Sequence, residues 1–341
     1  MQINFYYVFY SFLHVISFIL DYFRPRLEST EDKDPNCCGS STLVVNHDSS
    51  TLDAKRDTRD PCTLGDNVQD EEYFRSYADV TIHEEMLRDA VRTNAYRYAI
   101  LKNYESIRGK VVVDVGAGTG ILSIFCVHAG AKHVYAIEAS EMAKQTRKIV
   151  EENKMADRIT VVNKKVEDAS LPVKADVIVS EWMGYNLLYE SMLQSVLHAR
   201  DKWLKKDGLM FPSSAELVIA PFTDEDLDLR RAIEFSYFDR LEIWNEMKQS
   251  YKVSMESMRE YAKHCISNNV HVRCLSPENI ISHGVPVCKL DLYKVNQNDL
   301  KCIKKEFEFV CFGSSHLHGF VTWFTVSFPG DIQLSTSPYV E

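Results

Sequence analysis

One stretch limits the folds open to this chain more than any other: Lys110 to Gly120, KVVVDVGAGTG. Four valines between Val111 and Val115, interrupted only by Asp114, predict a strand buried on both faces, as in a parallel sheet. Gly116, Gly118 and Gly120 follow at once, and the apolar run from Ile121 to Ala129 predicts a helix. Strand, glycine turn and helix form the first unit of a doubly wound nucleotide-binding α/β domain.

The spacing of the glycines narrows the ligand. A dinucleotide fingerprint needs G-x-G-x-x-G, and the residue after Gly120 is Ile121, so the chain carries G-x-G-x-G instead. Gly116 and Gly118 let the backbone turn tightly and approach a ligand without a Cβ in the way. Asp114 stands at the strand end, placed to orient the turn or to bond the ligand. The next strand, His133 to Ile137, ends in Glu138, and a carboxylate there suits the two hydroxyls of a ribose. A nucleoside without a pyrophosphate fits better than NAD, which makes S-adenosyl-L-methionine the leading candidate. A ligand-free βα turn is the plainer alternative, and Glu138 weighs against it.

Composition closes several other routes. With 341 residues, 45% of them hydrophobic, the chain can bury a large core and form more than one domain. Its net charge of −10, without a Lys/Arg-rich block, argues against direct nucleic-acid binding and for cationic partners. Nine scattered cysteines with no C-x-x-C pair fit a reducing compartment, nucleus or cytoplasm, rather than a disulfide framework or a zinc site. Residues 1–26 begin with an uncharged aromatic run long enough to span a bilayer, without the basic start of a signal peptide. An anchor, a buried or interfacial helix and a start outside the working protein all remain open there. Residues 27–70 are rich in Ser, Thr, Asp and Asn and read as a disordered linker.

Order resumes near Glu72. Thr81 and Glu84 have the spacing of a capping box, which would start a helix with His83 in its first turn. Arg92 lies nine residues further on, on the opposite side of a straight helix, so the two share a ligand only if the helix is bent. Otherwise His83 is a surface residue and Arg92 pairs with Asp89 or Glu85. Further along, the strand Ala175–Ser180 runs into the loop EWMGYNLLYES, at the carboxyl edge of the sheet where such folds bind ligands. Glu181 and Glu190 lie nine apart in that apolar loop, around a turn at Gly184. Two desolvated carboxylates repel each other unless a cation lies between them, and a planar guanidinium satisfies both.

The segments VVDVGAGTGILSIFC, EWMGYNLLYESML, HARDKWL and YFRSYADVTIHEEMLRDAVRT together resemble the protein arginine N-methyltransferases of the asymmetric-dimethylating type. The resemblance runs from about Glu72 to Pro338. It implies a Rossmann-like class I methyltransferase domain over 71–212, followed over 213–341 by an antiparallel β-barrel domain with a helical dimerisation arm, and so a homodimer. By position it implies that His83 and Arg92 hold the methionine part of S-adenosylmethionine, Gly116 and Gly118 line it, Glu138 takes the ribose and Glu167 the adenine amino group. Glu181 and Glu190 become the catalytic pair that grips the substrate arginine, on histone tails or Arg/Gly-rich segments. Met86 and Met192 fall where the family shapes the space around the methylated nitrogen.

Beyond Ala215, the segments LVIAPF, VCKLDLYKV, FEFVCF and FVTWFTVSF alternate in polarity and predict antiparallel strands, and Asp224 to Met247 reads as the helical arm. Gly208 to Pro212 is expected to turn the chain out of the first sheet. The sequence ends in LSTSPYVE, where the family continues into a Thr-His-Trp loop whose histidine pairs with the aspartate matching Asp89. Two readings follow from this departure: an active enzyme, or an interaction subunit that keeps the cofactor fold and methylates poorly.

Overall fold

The computed structural model describes residues 2–10, 74–75, 77–223, 237–267, 272 and 274–340. A first strand, β1 (Gln2–Tyr10), precedes helices α1 (Val80–Arg88), α2 (Ala90–Lys102) and α3 (Tyr104–Ile107). The α/β unit follows as β2 (Val111–Val115), α4 (Ile121–His128), β3 (His133–Ile137), α5 (Met142–Glu152), β4 (Ile159–Val162), β5 (Ala175–Val179), α6 (Leu193–Trp203) and β6 (Leu204–Phe211). The rest comprises β7 (Ser214–Phe222), α7 (Tyr237–Tyr251), α8 (Glu256–Ser267), β8 (Val285–Asp291), β9 (Cys302–Val310), β10 (Gly319–Phe328) and β11 (Ile332–Ser335).

Five parallel strands in the order β4-β3-β2-β5-β6 make the first sheet, with the valine-rich β2 at its centre. Val112, Val113 and Val115 are buried, as strand faces covered by helices on both sides require. A second, antiparallel sheet has the order β11-β10-β7-β8. The two sheets share one apolar core. Tyr96 of α2 packs edge-on against Phe328 of β10 at 4.8 Å, a pair that contributes about 0.5–1.5 kcal/mol beyond its burial. Asn103 and Lys102 donate to the carbonyls of Pro329 and Gly330 at 2.8 and 3.0 Å and tie the end of α2 to the β10–β11 turn.

Three expectations change. Gly208 to Phe211 does not leave the first sheet but forms part of its edge strand β6, pairing in register with β5, and the chain turns only at Pro212. Gly208 has no side chain and accepts the close approach of Leu204 and of the Asp176 carbonyl. At the amino end, Gln2–Tyr10 is a strand rather than a helix, paired antiparallel with β9 so that Ile3 faces Phe309 and Phe5 faces Phe307. Its aromatic and β-branched composition favours that state. Among the described residues no helix is long and apolar enough to cross a membrane. The expected arm helix starts outside the described residues, and its described part continues past Met247 to Tyr251; the expected linker also lies outside them.

Candidate active site

The helix start near His83 differs from the capping box expected at Thr81. Asp79 is the N-cap, and its carboxylate accepts from the Thr81 amide and hydroxyl, both at 2.8 Å. At Asp89 the helix breaks: this residue ends α1, and its carboxylate then caps α2 by accepting from the Arg92 amide at 3.0 Å. The break is the bend that a shared ligand for His83 and Arg92 demanded. His83 is buried, its Nε2 2.8 Å from the Tyr77 carbonyl oxygen, and its ring lies beside Gly118. Arg92 donates through one terminal nitrogen to Glu181 at 2.8 Å and through the other to the Met86 carbonyl.

The glycine bend is closely lined. Gly116 and Gly118 have φ of +69° and +52°, in the region that side chains disfavour. A Cβ at Gly116 would come within 2.1 Å of the Met192 methyl, and one at Gly118 within 3.3 Å of the His83 ring. Glu138 is buried and accepts from the Gly118 and Ser140 amides, each at 2.8 Å. Beneath the bend, Asp114 is fully buried, and its Oδ2 accepts from the Ser123 hydroxyl at 2.7 Å while Oδ1 has no partner. Burial raises its pKa from 3.8 to about 7; the Ser123 hydrogen bonds oppose the shift and the nearby Glu138 adds to it.

The carboxylate loop is joined to that bend by the strands themselves. Ser180, buried at the carboxyl end of β5, donates to the carbonyl of Val115 at 2.7 Å, and its own carbonyl accepts from the Tyr96 hydroxyl at 2.9 Å. Gly116 and Glu181 are the next residues on either side of that link. The loop then folds back, with Gly184 bonded to the Leu187 carbonyl and packed directly on Glu190. Leu187 and Leu188 are buried and anchor it, while Asn186, Leu187 and Ser191 hold left-handed backbone at φ of +52°, +67° and +57°. Tyr77 donates its hydroxyl to Glu190, a role that nothing in the local sequence pattern signals. Burial raises the Glu181 carboxyl above its ordinary value; Arg92 opposes that shift, and the charge of Glu190 reinforces it.

His83, Met86, Arg92, Gly116, Gly118, Glu138, Glu181, Glu190 and Met192 thus form one connected set. Glu167 stands apart from it, exposed after β4, with its carboxylate accepting from Ser195 of α6 at 2.8 Å. The residues present fit a nucleoside ligand: Glu138, at the end of β3 beside the bend, keeps acceptor capacity beyond its two amide partners, and the Gly116–Gly118 backbone presents no Cβ of its own.

Comparisons with known proteins bear on the fold and the family. Residues 214–341 match the arginine methyltransferase oligomerization subdomain, and residues 95–213 match the ribosomal protein L11 methyltransferase (PrmA) model. Protein arginine N-methyltransferase 6 of Xenopus laevis is 51% identical over 276 residues, which cover 80% of this chain and 78% of that protein. The crystal structure of Arabidopsis thaliana protein arginine methyltransferase 10 superposes with a TM-score of 0.66 at 34% identity, over 79% of this chain and 81% of that one. The Trypanosoma brucei PRMT1 enzyme–prozyme heterotetrameric complex with AdoHcy gives 0.64 at 34% identity, over 78% and 80%. A glycine bend joined to a paired-carboxylate loop, together with half-identity over four fifths of the sequence, places this chain in the protein arginine N-methyltransferase family.

Proposed function

We propose that the chain transfers a methyl group from S-adenosylmethionine to a terminal guanidino nitrogen of arginine in protein substrates, histone tails and Arg/Gly-rich segments among them. The observation that carries this reading is the Ser180–Val115 hydrogen bond, which sets the Glu181–Glu190 loop against the glycine bend. When bound, the cofactor supplies an activated methyl on a sulfonium. The chain's task is then alignment and electrostatics. His83 and the bend line the methionine end, Arg92 takes its carboxylate, Glu138 the ribose hydroxyls and Glu167 the adenine amino group. Glu181 and Glu190 hold the guanidinium through its far N–H groups, drawing positive charge there and leaving electron density on the attacking nitrogen. Met86 and Met192 limit the room around that nitrogen.

The match to an oligomerization subdomain and the heterotetrameric relative support oligomerisation. Its form is a homodimer, with α7 and α8 as the arm. The described cysteines, Cys126, Cys274, Cys288, Cys302 and Cys311, are all free, which supports a nuclear or cytoplasmic setting.

The test is Glu181→Gln and Glu190→Gln, measured by labelled-methyl incorporation into an arginine peptide and by calorimetry with the cofactor. Each amide weakens charge-assisted bonds worth about 1.5–3 kcal/mol, so kcat falls at least tenfold; cofactor affinity stays within about twofold for Glu190→Gln, whereas Glu181 also holds Arg92 and is read by kcat alone. Unchanged turnover in both variants refutes the assignment.

A further inference from the structure

The carboxylate loop carries two large side chains that the proposed reaction does not use. Tyr185 and Tyr189 are 62% and 54% exposed, their ring centroids 6.4 Å apart and their planes inclined by 57°. They are not loosely placed. The Tyr189 amide donates to the Tyr185 carbonyl at 3.1 Å, and the buried Leu187 and Leu188 between them fix the turn. Gly184, one residue before Tyr185, packs on Glu190, one residue after Tyr189. Both tyrosines therefore stand on the same closed turn as the carboxylate that is to hold the substrate arginine.

Two such rings on a rigid turn make an amphipathic contact surface that loses little conformational entropy on binding. Single exposed apolar residues are ordinary on a protein surface; two exposed rings within 6.4 Å of each other, on the turn that carries Glu190, are less so. An aromatic face attracts cations through its quadrupole, and the chain's net charge of −10 attracts them at longer range. We infer that Tyr185 and Tyr189 bind a second cationic side chain of the substrate, a Lys or Arg near the target arginine, and so select basic flanking sequence. The inference rests on the arginine-methylating reading and gives it a substrate class: peptides with clustered positive charge rather than isolated arginines.

The experiment compares two peptides that differ only in residues flanking one arginine, lysines in the first and alanines in the second. The Tyr185→Leu/Tyr189→Leu double variant keeps an apolar side chain and removes the rings; the Tyr185→Phe/Tyr189→Phe variant keeps the rings and removes the hydroxyls. With the Leu pair, KM for the lysine-flanked peptide rises about three- to tenfold, while kcat and the alanine-flanked KM stay within twofold. With the Phe pair, the lysine-flanked KM returns to within twofold of the wild type. An equal rise on both peptides, no rise on either, or a Phe pair no better than the Leu pair overturns the inference while the methylation reading stands. A wild type that methylates neither peptide defeats the methylation reading and takes this inference with it.

Discussion

Gly184→Ala adds one methyl group at the point where the carboxylate loop closes on itself. A Cβ there would lie 2.8 Å from Cγ of Glu190, 3.0 Å from its amide nitrogen and 3.1 Å from its Cβ. Gly184 has no positive φ, so the alanine backbone is unstrained and only the contact acts. Moving the closest pair from 2.8 Å to 3.4 Å, where ordinary contact begins, takes about 0.6 Å. A backbone nitrogen is among the atoms met, so a side-chain rotation of Glu190 does not relieve the clash. Misplacing a reacting group by about 1 Å costs about 100-fold, and 0.6 Å therefore lowers kcat/KM by about tenfold or more, at least about 1.4 kcal/mol. Overpacking of this kind also costs about 1–3 kcal/mol of stability, so assays are run well below the melting transition. Cofactor affinity stays within about twofold, because the bend at Gly116 and Gly118 does not touch Gly184. The control is Gly313→Ala, whose Cβ meets nothing within 4 Å. Methyl transfer by Gly184→Ala within twofold of that control refutes the claim that Glu190 is held in a working position.

Gly118→Ala forces a side chain into left-handed backbone and against the His83 ring, so cofactor affinity measured by calorimetry falls at least tenfold. Asp114 binds its proton more tightly folded, near 7, than unfolded, near 3.8, so stability declines as pH rises between those values, by at most about 4 kcal/mol. Asp114→Asn removes that slope, and a melting temperature with unchanged pH dependence contradicts the assignment. Burial likewise raises the Glu181 pKa, and its ionised form is the one that grips the guanidinium. The acid limb of kcat/KM therefore lies above the pH of an ordinary glutamate, about 4.3, and a limb at or below that value counts against the role.

The parallel sheet and its bend were legible because burial on both faces forces an apolar run and the turn forces glycines, both local properties. The paired glutamates were legible for a related reason: two carboxylates in an apolar loop need a cation, whatever the fold. What escaped was set by tertiary contact. The break at Asp89 depends on one carboxylate capping the next helix, and nothing in the spacing of His83 and Arg92 announces it. Asp79 outcompetes Thr81 as a cap because its side chain takes both Thr81 donors. Gly208 looked like a turn, yet it serves the tight packing of an edge strand. The bond from Tyr77 to Glu190 joins residues 113 positions apart, beyond any local pattern.

Three non-glycine residues in left-handed backbone, Asn186, Leu187 and Ser191, sit within one six-residue span of the carboxylate loop. Each costs about 1 kcal/mol or more, held in place by the buried leucines and by the Ser180 link. On heating, such a tensioned loop springs open while the valine core beneath it is still intact. Methyl transfer then fades at a lower temperature than the one at which the sheets melt.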